Sequence, residues 1–267
     1  MILTAKTKYK HDFAFYHNDT IIGQSIMHYG EYTETELDVL RMFLDKRESV
    51  VYDIGANIGY HTVGFAHYAK EVHSFEPNDK NYALLEKNTN GIQNVKLYHV
   101  ACSDVVGDAF ITDFDIDGHG NYGECMMSDS GQPCKTIRID DLALPTPTLI
   151  KIDVEGHELR VFEGAKQTIR QGLPVIFYET MHGSGFDLIY DFLVTELKYK
   201  IYFCPSPNYN PYNFNNERNN IFGNGGVLNS IAIPYHLGNI KNLPQMISRD
   251  DTYEVSVKRY LDDQVNK

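Results

Sequence analysis

The residues of this 267-residue chain best suited to chemistry fall at a few places, each directly after a short apolar run. They are Asp53-Ile54-Gly55-Ala56-Asn57-Ile58-Gly59, Phe75-Glu76-Pro77, Ala101-Cys102-Ser103-Asp104, and Lys151-Ile152-Asp153-Val154-Glu155-Gly156-His157-Glu158, with Glu179 and His182 further on. Glycines at 55 and 59 let the backbone turn sharply and come close to a ligand. The loop departs from the G-x-G-x-x-G of dinucleotide sites, because Asn57 stands in the middle glycine's place and the last glycine is missing. Asp53, directly before the loop, would repel a pyrophosphate. It suits a ligand carrying an ammonium and a sulfonium, which favours S-adenosylmethionine (SAM) over a nicotinamide dinucleotide. Glu76 comes about 20 residues after Asp53, where an acid accepts hydrogen bonds from ribose hydroxyls; its plainer use is to cap the helix beginning near Asn78. The loop and the acid together read as a nucleoside site made of Asp53, Gly55, Asn57, Gly59 and Glu76. Ser103 or Asp104 would bond the exocyclic amine of an adenine, or else serve a local turn.

The run from Lys151 to Glu158 is the densest polar cluster, at a strand-to-helix turn where a substrate would meet the methyl donor. Helix capping and the helix dipole account for one or two of these acids. Asp153, Glu155, Glu179 and His182 are the catalytic candidates, since two neighbouring strands deliver them to one spot. Carboxylates held close repel one another, which raises one pKa and makes a usable base. A magnesium or manganese ion on Asp153, Glu155 and Glu179 would relieve the same repulsion. No ligand set matches a metal spacing, so the reading favours a base without metal and names no metal ligand.

The elements that must position these groups follow from periodicity. Ser49–Asp53, Val72–Glu76, Val95–Val100, Thr148–Asp153 and Pro174–Glu179 read as strands, with helices over Tyr60–Ala69, Asn78–Thr89 and His157–Arg170. Strands alternating with helices imply βαβ units, an α/β class and a parallel sheet. Between the third and fourth strands a small antiparallel excursion is expected, with 109–112 pairing against 135–139. Phe186–Leu197 fits a helix, and Tyr199–Phe203 and Val227–Ile233 fit closing strands. Residues 205–226, rich in Asn and Pro, read as a loop or lid. The expected division is an N-terminal cap segment over 1–48 with an amphipathic helix near 33–46, a catalytic domain over 49–233, and a C-terminal tail over 234–267.

A formal net charge of −12 and the absence of any dense basic run disfavour nucleic acid as partner. No apolar run approaches the roughly 20 residues that a membrane-spanning helix needs, and the N-terminus has no signal-peptide pattern. A cytoplasmic protein with no membrane partner is expected, its four scattered cysteines read as free thiols.

Taken together, Asp53–Thr62 (DIGANIGYHT), Phe75-Glu76-Pro77, Ile139-Asp140-Asp141-Leu142, Leu149–Glu158 (LIKIDVEGHE), Val161–Ala165 (VFEGA) and Tyr178-Glu179 resemble FkbM-family methyltransferases. The resemblance spans about residues 28–182, with Tyr29-Gly30-Glu31-Tyr32 upstream. It implies a Rossmann-like class I methyltransferase fold with a seven-stranded, mostly parallel sheet and helices on both faces. It also implies SAM-dependent O-methylation of a hydroxyl, commonly on a sugar or polyketide, with Asp53, Gly55, Asn57 and Glu76 in the SAM site. The base is left unassigned by the resemblance. A small-molecule or glycan acceptor is expected, with Tyr29, Tyr32, Tyr202, Phe203, Tyr209, Tyr212 and Phe214 as flat faces for sugar rings. The alternatives are a nicotinamide-dependent oxidoreductase acting on a sugar nucleotide, against which the glycine pattern counts, and a non-catalytic SAM-binding protein, which has no need of the polar clusters.

Overall fold

The computed structural model describes residues 1–180 and 184–265. In chain order its elements begin with the hairpin β1 (Ile2–Ala5) and β2 (Phe13–Tyr16), then α1 (Ile22–Tyr29) and α2 (Glu34–Leu40). Next come β3 (Val50–Ile54), α3 (Tyr60–Tyr68), β4 (Glu71–Phe75), α4 (Asp79–Thr89) and β5 (Val95–Tyr98). The excursion is β6 (Ala101–Cys102), β7 (Gly107–Ile111), β8 (Met127–Ser128) and β9 (Gln132–Ile137). There follow β10 (Leu149–Ile152), α5 (Glu158–Gly164), α6 (Lys166–Gly172), β11 (Val175–Glu179) and α7 (Ser184–Tyr190). The chain closes with β12 (Tyr199–Pro207), β13 (Gly226–Pro234), β14 (Gln245–Met246) and α8 (Tyr253–Val265).

The main sheet runs β5-β4-β3-β10-β11-β13-β12-β14. The first five strands are parallel, β13 is antiparallel to β11, and β12, antiparallel to β13, points the same way as the first five. Strand order reverses between β3 and β10, and a ligand crevice opens outside the carboxyl ends of strands at such a switch point. This is the expected class I methyltransferase arrangement with one difference. Among the described residues an eighth strand, the two-residue β14, adds to the edge at Ile201 and Tyr202.

Both faces of the sheet are covered, so its strands alternate between two cores. Val51 and Val72 pack with Phe13, Phe15, Leu37, Val63 and Phe65 on one side. Val50, Tyr52, Ile54, Ile150 and Ile152 pack with Val161, Phe162 and Ile169 on the other. Asp53 shares the parity of Val51 and therefore points toward α3.

Several boundaries differ from the sequence reading. The helix expected over 33–46 stops at Leu40 and tightens into a 3-10 turn at Arg41–Phe43, leaving Met42 exposed. The helix near 157–170 is two, broken at Ala165. The helix over 186–197 passes at Asp191 into a π-helical turn. The excursion forms as an antiparallel β7–β9 pair, with Ala109 opposite Cys134. The stretch read as loop from 205 shrinks, because β12 and β13 pair as far as Pro207 and Gly226. Phe203 donates its amide away from β13, to Pro244 O at 2.9 Å. Pro205 and Pro207 share its parity, so their missing N–H groups fall on the side of β12 away from β13 and beyond its short pairing with β14, where proline is tolerated.

The remaining loop is pinned to the N-terminal segment and does not hang free. Glu31 accepts from Asn210 Nδ2 at 2.8 Å and from the Phe214 amide at 2.7 Å, and Tyr29 Oη bonds both Asn219 O and the Ile221 amide. The four cysteines carry free thiols. No helix among the described residues is long and apolar enough to cross a membrane.

Candidate active site

A cavity of about 290 Å3 lies at the switch point, walled by the ends of β3, β4, β10 and β11. Its floor is the glycine turn. After Ile54 the chain passes through Gly55 (φ 79°), Asn57 (φ 50°) and Gly59 (φ 90°) before α3 begins. The Gly55 and Ala56 amides both donate to Phe75 O at 3.0 Å, tying the turn to the end of β4. A Cβ on Gly55 would sit 1.8 Å from Asp153 O. Only glycine lets this loop lie against the end of β10, which keeps the cavity floor flat.

Glu76 is buried at the cavity wall, with Oε2 accepting from the Asn57 amide at 2.8 Å and Oε1 from the Asn78 amide at 2.9 Å. Burial pushes its carboxyl up to about 7, against those two backbone bonds that hold it down. Each oxygen keeps a free lone pair, so ligand hydroxyls have acceptors fixed in place. The side-chain cap of α4 is Asn78, which accepts from the Lys80 and Asn81 amides, and Glu76 holds the amide of that cap residue.

Beside this wall lies a buried charge network. Lys151, 1% exposed, reaches Asp153 Oδ2 at 2.9 Å and Asp53 Oδ1 at 3.8 Å. Burial alone would lower its pKa, but the two carboxylates hold it raised. In return Lys151 keeps the Asp153 carboxyl low against the effect of burial. Asp53 also accepts from Thr62 Oγ1 at 2.6 Å, and Thr62 in turn bonds Ser74. Asp53 therefore stands behind the cavity as the counter-ion of Lys151, where the sequence reading had placed it against the cofactor. The cause is strand parity: the residue before Ile54 faces α3.

Asp153, Glu155 and Glu179 do line one wall together. Glu155 adopts φ 51° and is followed by Gly156 at 90°. A non-glycine residue held there is strained, as is common at functional sites. Burial, then Asp153, Glu179 and Glu124, push Glu155 up to about 8. Burial, then Asp153, Glu158 and Glu124, push Glu179 up to about 7. Two acids are thus poised near neutral pH, as a proton acceptor must be. His182 lies outside the described residues.

Ser103 and Asp104 are turned away from the cavity as well. Ser103 Oγ meets His157 Nε2 at 3.0 Å and Asp104 pairs with Arg160 at 2.7 Å, so both brace α5. Val100, Ala101 and Cys102 present the surface there instead. Of the aromatic residues proposed as sugar platforms, only Tyr32 lines the cavity. Tyr29, Tyr202 and Phe203 are buried in packing, Tyr209 stacks at a tilt on Tyr29, and Tyr212 is exposed.

Three polar residues of the wall escaped the sequence reading. His61 Nε2 lies 3.2 Å from Glu36 Oε2 and 3.2 Å from Thr33 Oγ1, and Asn229 Nδ2 donates to Glu36 Oε1 at 3.0 Å. All three are buried and drawn from α3, α2 and β13. The available signals were a glutamate on the apolar side of an amphipathic helix and an asparagine inside an apolar strand.

The groups present fit SAM: a glycine cradle, a fixed carboxylate for ribose hydroxyls, and a wall of acids for a cationic donor.

Comparison with known proteins matches the model for the methyltransferase FkbM domain to residues 53–201. The chain is similar to the hexuronic acid methyltransferase AglP of Haloferax volcanii, at 30% identity over 142 residues, 51% of this chain and 58% of that protein. Among solved structures it is similar to the FkbM methyltransferase of Methylobacillus flagellatus KT, with 20% identity and a TM-score of 0.46 over 70% of this chain and 44% of that one. An rRNA methylase of Streptococcus thermophilus gives 15% identity and a TM-score of 0.43 over 75% and 94%. The chain thus spans little more than half the length of the curated relative.

Proposed function

The chain belongs to the FkbM methyltransferase family, and from that premise we propose that it is a SAM-dependent O-methyltransferase acting on a hydroxyl of a sugar, sugar nucleotide or glycan. One observation carries the reading: Glu155 and Glu179 line the same cavity as Gly55 and Glu76. Acids poised near neutral pH thus share one space with a nucleoside cradle.

When bound there, SAM supplies an electrophilic methyl on a good leaving group. The protein's part is to position the acceptor and take its proton. Glu76 would hold the ribose hydroxyls, and the Gly55–Gly59 turn would carry the methionyl part. Lys151 fixes Asp153 in the cavity wall. Glu155 or Glu179 accepts the hydroxyl proton as the new O–C bond forms. The proposed base works without a metal ion; loss of activity with EDTA, restored by magnesium or manganese, would overturn that part.

The sugar acceptor is supported by the hexuronic acid named for the Haloferax relative. The net charge of −12 weighs against a long polyanion such as RNA. The test is a panel with methyl-labelled SAM, offering sugar nucleotides and glycans beside RNA and protein. Label on a sugar is expected; label on RNA or protein alone would refute the assignment.

A further inference from the structure

Carboxyls crowd the cavity beyond what a proton acceptor needs. Facing Glu155 and Glu179 are Asp153 and Lys151 from β10, Glu158 from α5, and Glu124 from the loop between β7 and β8. Tyr32, Glu36 and His61 line the same cavity. Lys151, the cation among these described residues, is already engaged by Asp53 and Asp153, while His61 Nε2 lies against Glu36 Oε2 at 3.2 Å. Among the described residues, no cation other than Lys151 is placed to balance Glu155, Glu179 and Glu124. The SAM sulfonium carries such a charge, whereas its product S-adenosylhomocysteine (SAH) has a neutral thioether.

Resting on the methyltransferase reading above, we propose that Glu155 and Glu179 sense the charge of the cofactor: they give up a proton when the sulfonium enters, and so discriminate the methyl donor from the spent product. The proton balance closes over a cycle. Entry of the cation releases a proton to solvent and leaves the pair as carboxylates, one of which is then a competent base. The acceptor O–H proton moves to that carboxylate as the methyl passes from sulfur to oxygen. With the sulfur now neutral, the pair keeps the proton and no longer attracts the ligand, which favours release.

The physical support is the crowding itself. Burial and the neighbouring carboxyls, Asp153 first, push Glu155 up to about 8 and Glu179 up to about 7. A cation a few ångströms away favours their charged forms. By linkage, SAM affinity then rises with pH across roughly 6.5 to 8.5, by up to about tenfold per unit where one full proton is released.

The experiment is calorimetric titration with SAM and with SAH at several pH values, each in two buffers of different ionisation enthalpy to count protons. Release of between half and one proton per SAM near pH 7.5, with none for SAH, is expected. Glu155→Gln and Glu179→Gln should each reduce that release while still binding SAH, which also shows that they fold. Equal pH profiles for SAM and SAH, or undiminished proton release in both variants, would overturn the proposal. Failure of wild type to bind either ligand would instead bring down the methyltransferase reading, and this proposal with it.

Discussion

Replacing Lys151 by Met removes the cation that, among the described residues, faces Asp53, and the structure fixes what that should cost. Asp53 is fully buried and keeps Thr62 Oγ1 at 2.6 Å as its remaining donor. Removing one member of a buried ion pair strands a charge at a cost of about 3–5 kcal/mol. Asp153 loses a partner too, but its side chain is 44% accessible and open to the cavity, so its share is small. For a chain of this size the sum corresponds to a fall in Tm on the order of 10 °C. The sign of the pH dependence is fixed as well. The stranded carboxyl is relieved by protonation, so the penalty should be smaller at pH 5 than at pH 8. Adding Asp53→Asn should recover at least half the loss, since the charge is gone and Thr62 can still donate. Urea unfolding of the wild type, K151M and the double variant at both pH values measures all of this. A single variant within about 1 kcal/mol of wild type at both pH values would refute the reasoning, and Asp53 would have to be reassigned to the cofactor.

Glu76→Ala should weaken SAH binding by about 10- to 100-fold, the worth of charge-assisted hydrogen bonds, as read by calorimetry. Glu155→Gln should keep SAH affinity while lowering methyl transfer by about a hundredfold, the usual size of a general-base contribution; normal turnover in a labelled-methyl assay would sink that role. Glu76, Glu155 and Glu179 all titrate higher folded than free, so the stability they contribute is full below about pH 4.5 and is lost as pH rises toward 8. Differential scanning fluorimetry should therefore show Tm falling from pH 6 to pH 8.5, and a rise across that range would contradict the buried placement of these acids.

Much of the site was legible because a parallel sheet buried on both faces writes its strands as apolar runs. Val50–Ile54, Glu71–Phe75, Leu149–Ile152 and Val175–Glu179 emerge within a residue or two of their sequence reading, and the cavity opens at their ends. What the runs do not encode is direction at the last residue. Asp53 and Ile54 are adjacent, yet one meets α3 and the other lines the cavity. Ser103 and Asp104 were misplaced for a similar reason: the chain leaves β5 at Tyr98 and enters the second sheet through β6, which turns both residues toward α5. The cavity wall made by Glu36, His61 and Asn229 depends on contacts between segments nearly 200 residues apart, and local periodicity carries no trace of such pairing.

The most direct measurement of the central claim is calorimetric titration of the wild-type protein with SAH and, separately, with NAD+. The account predicts one SAH bound per chain with Kd at the micromolar level, about −8 kcal/mol, and no comparable NAD+ binding. Binding of NAD+ with none for SAH would contradict it.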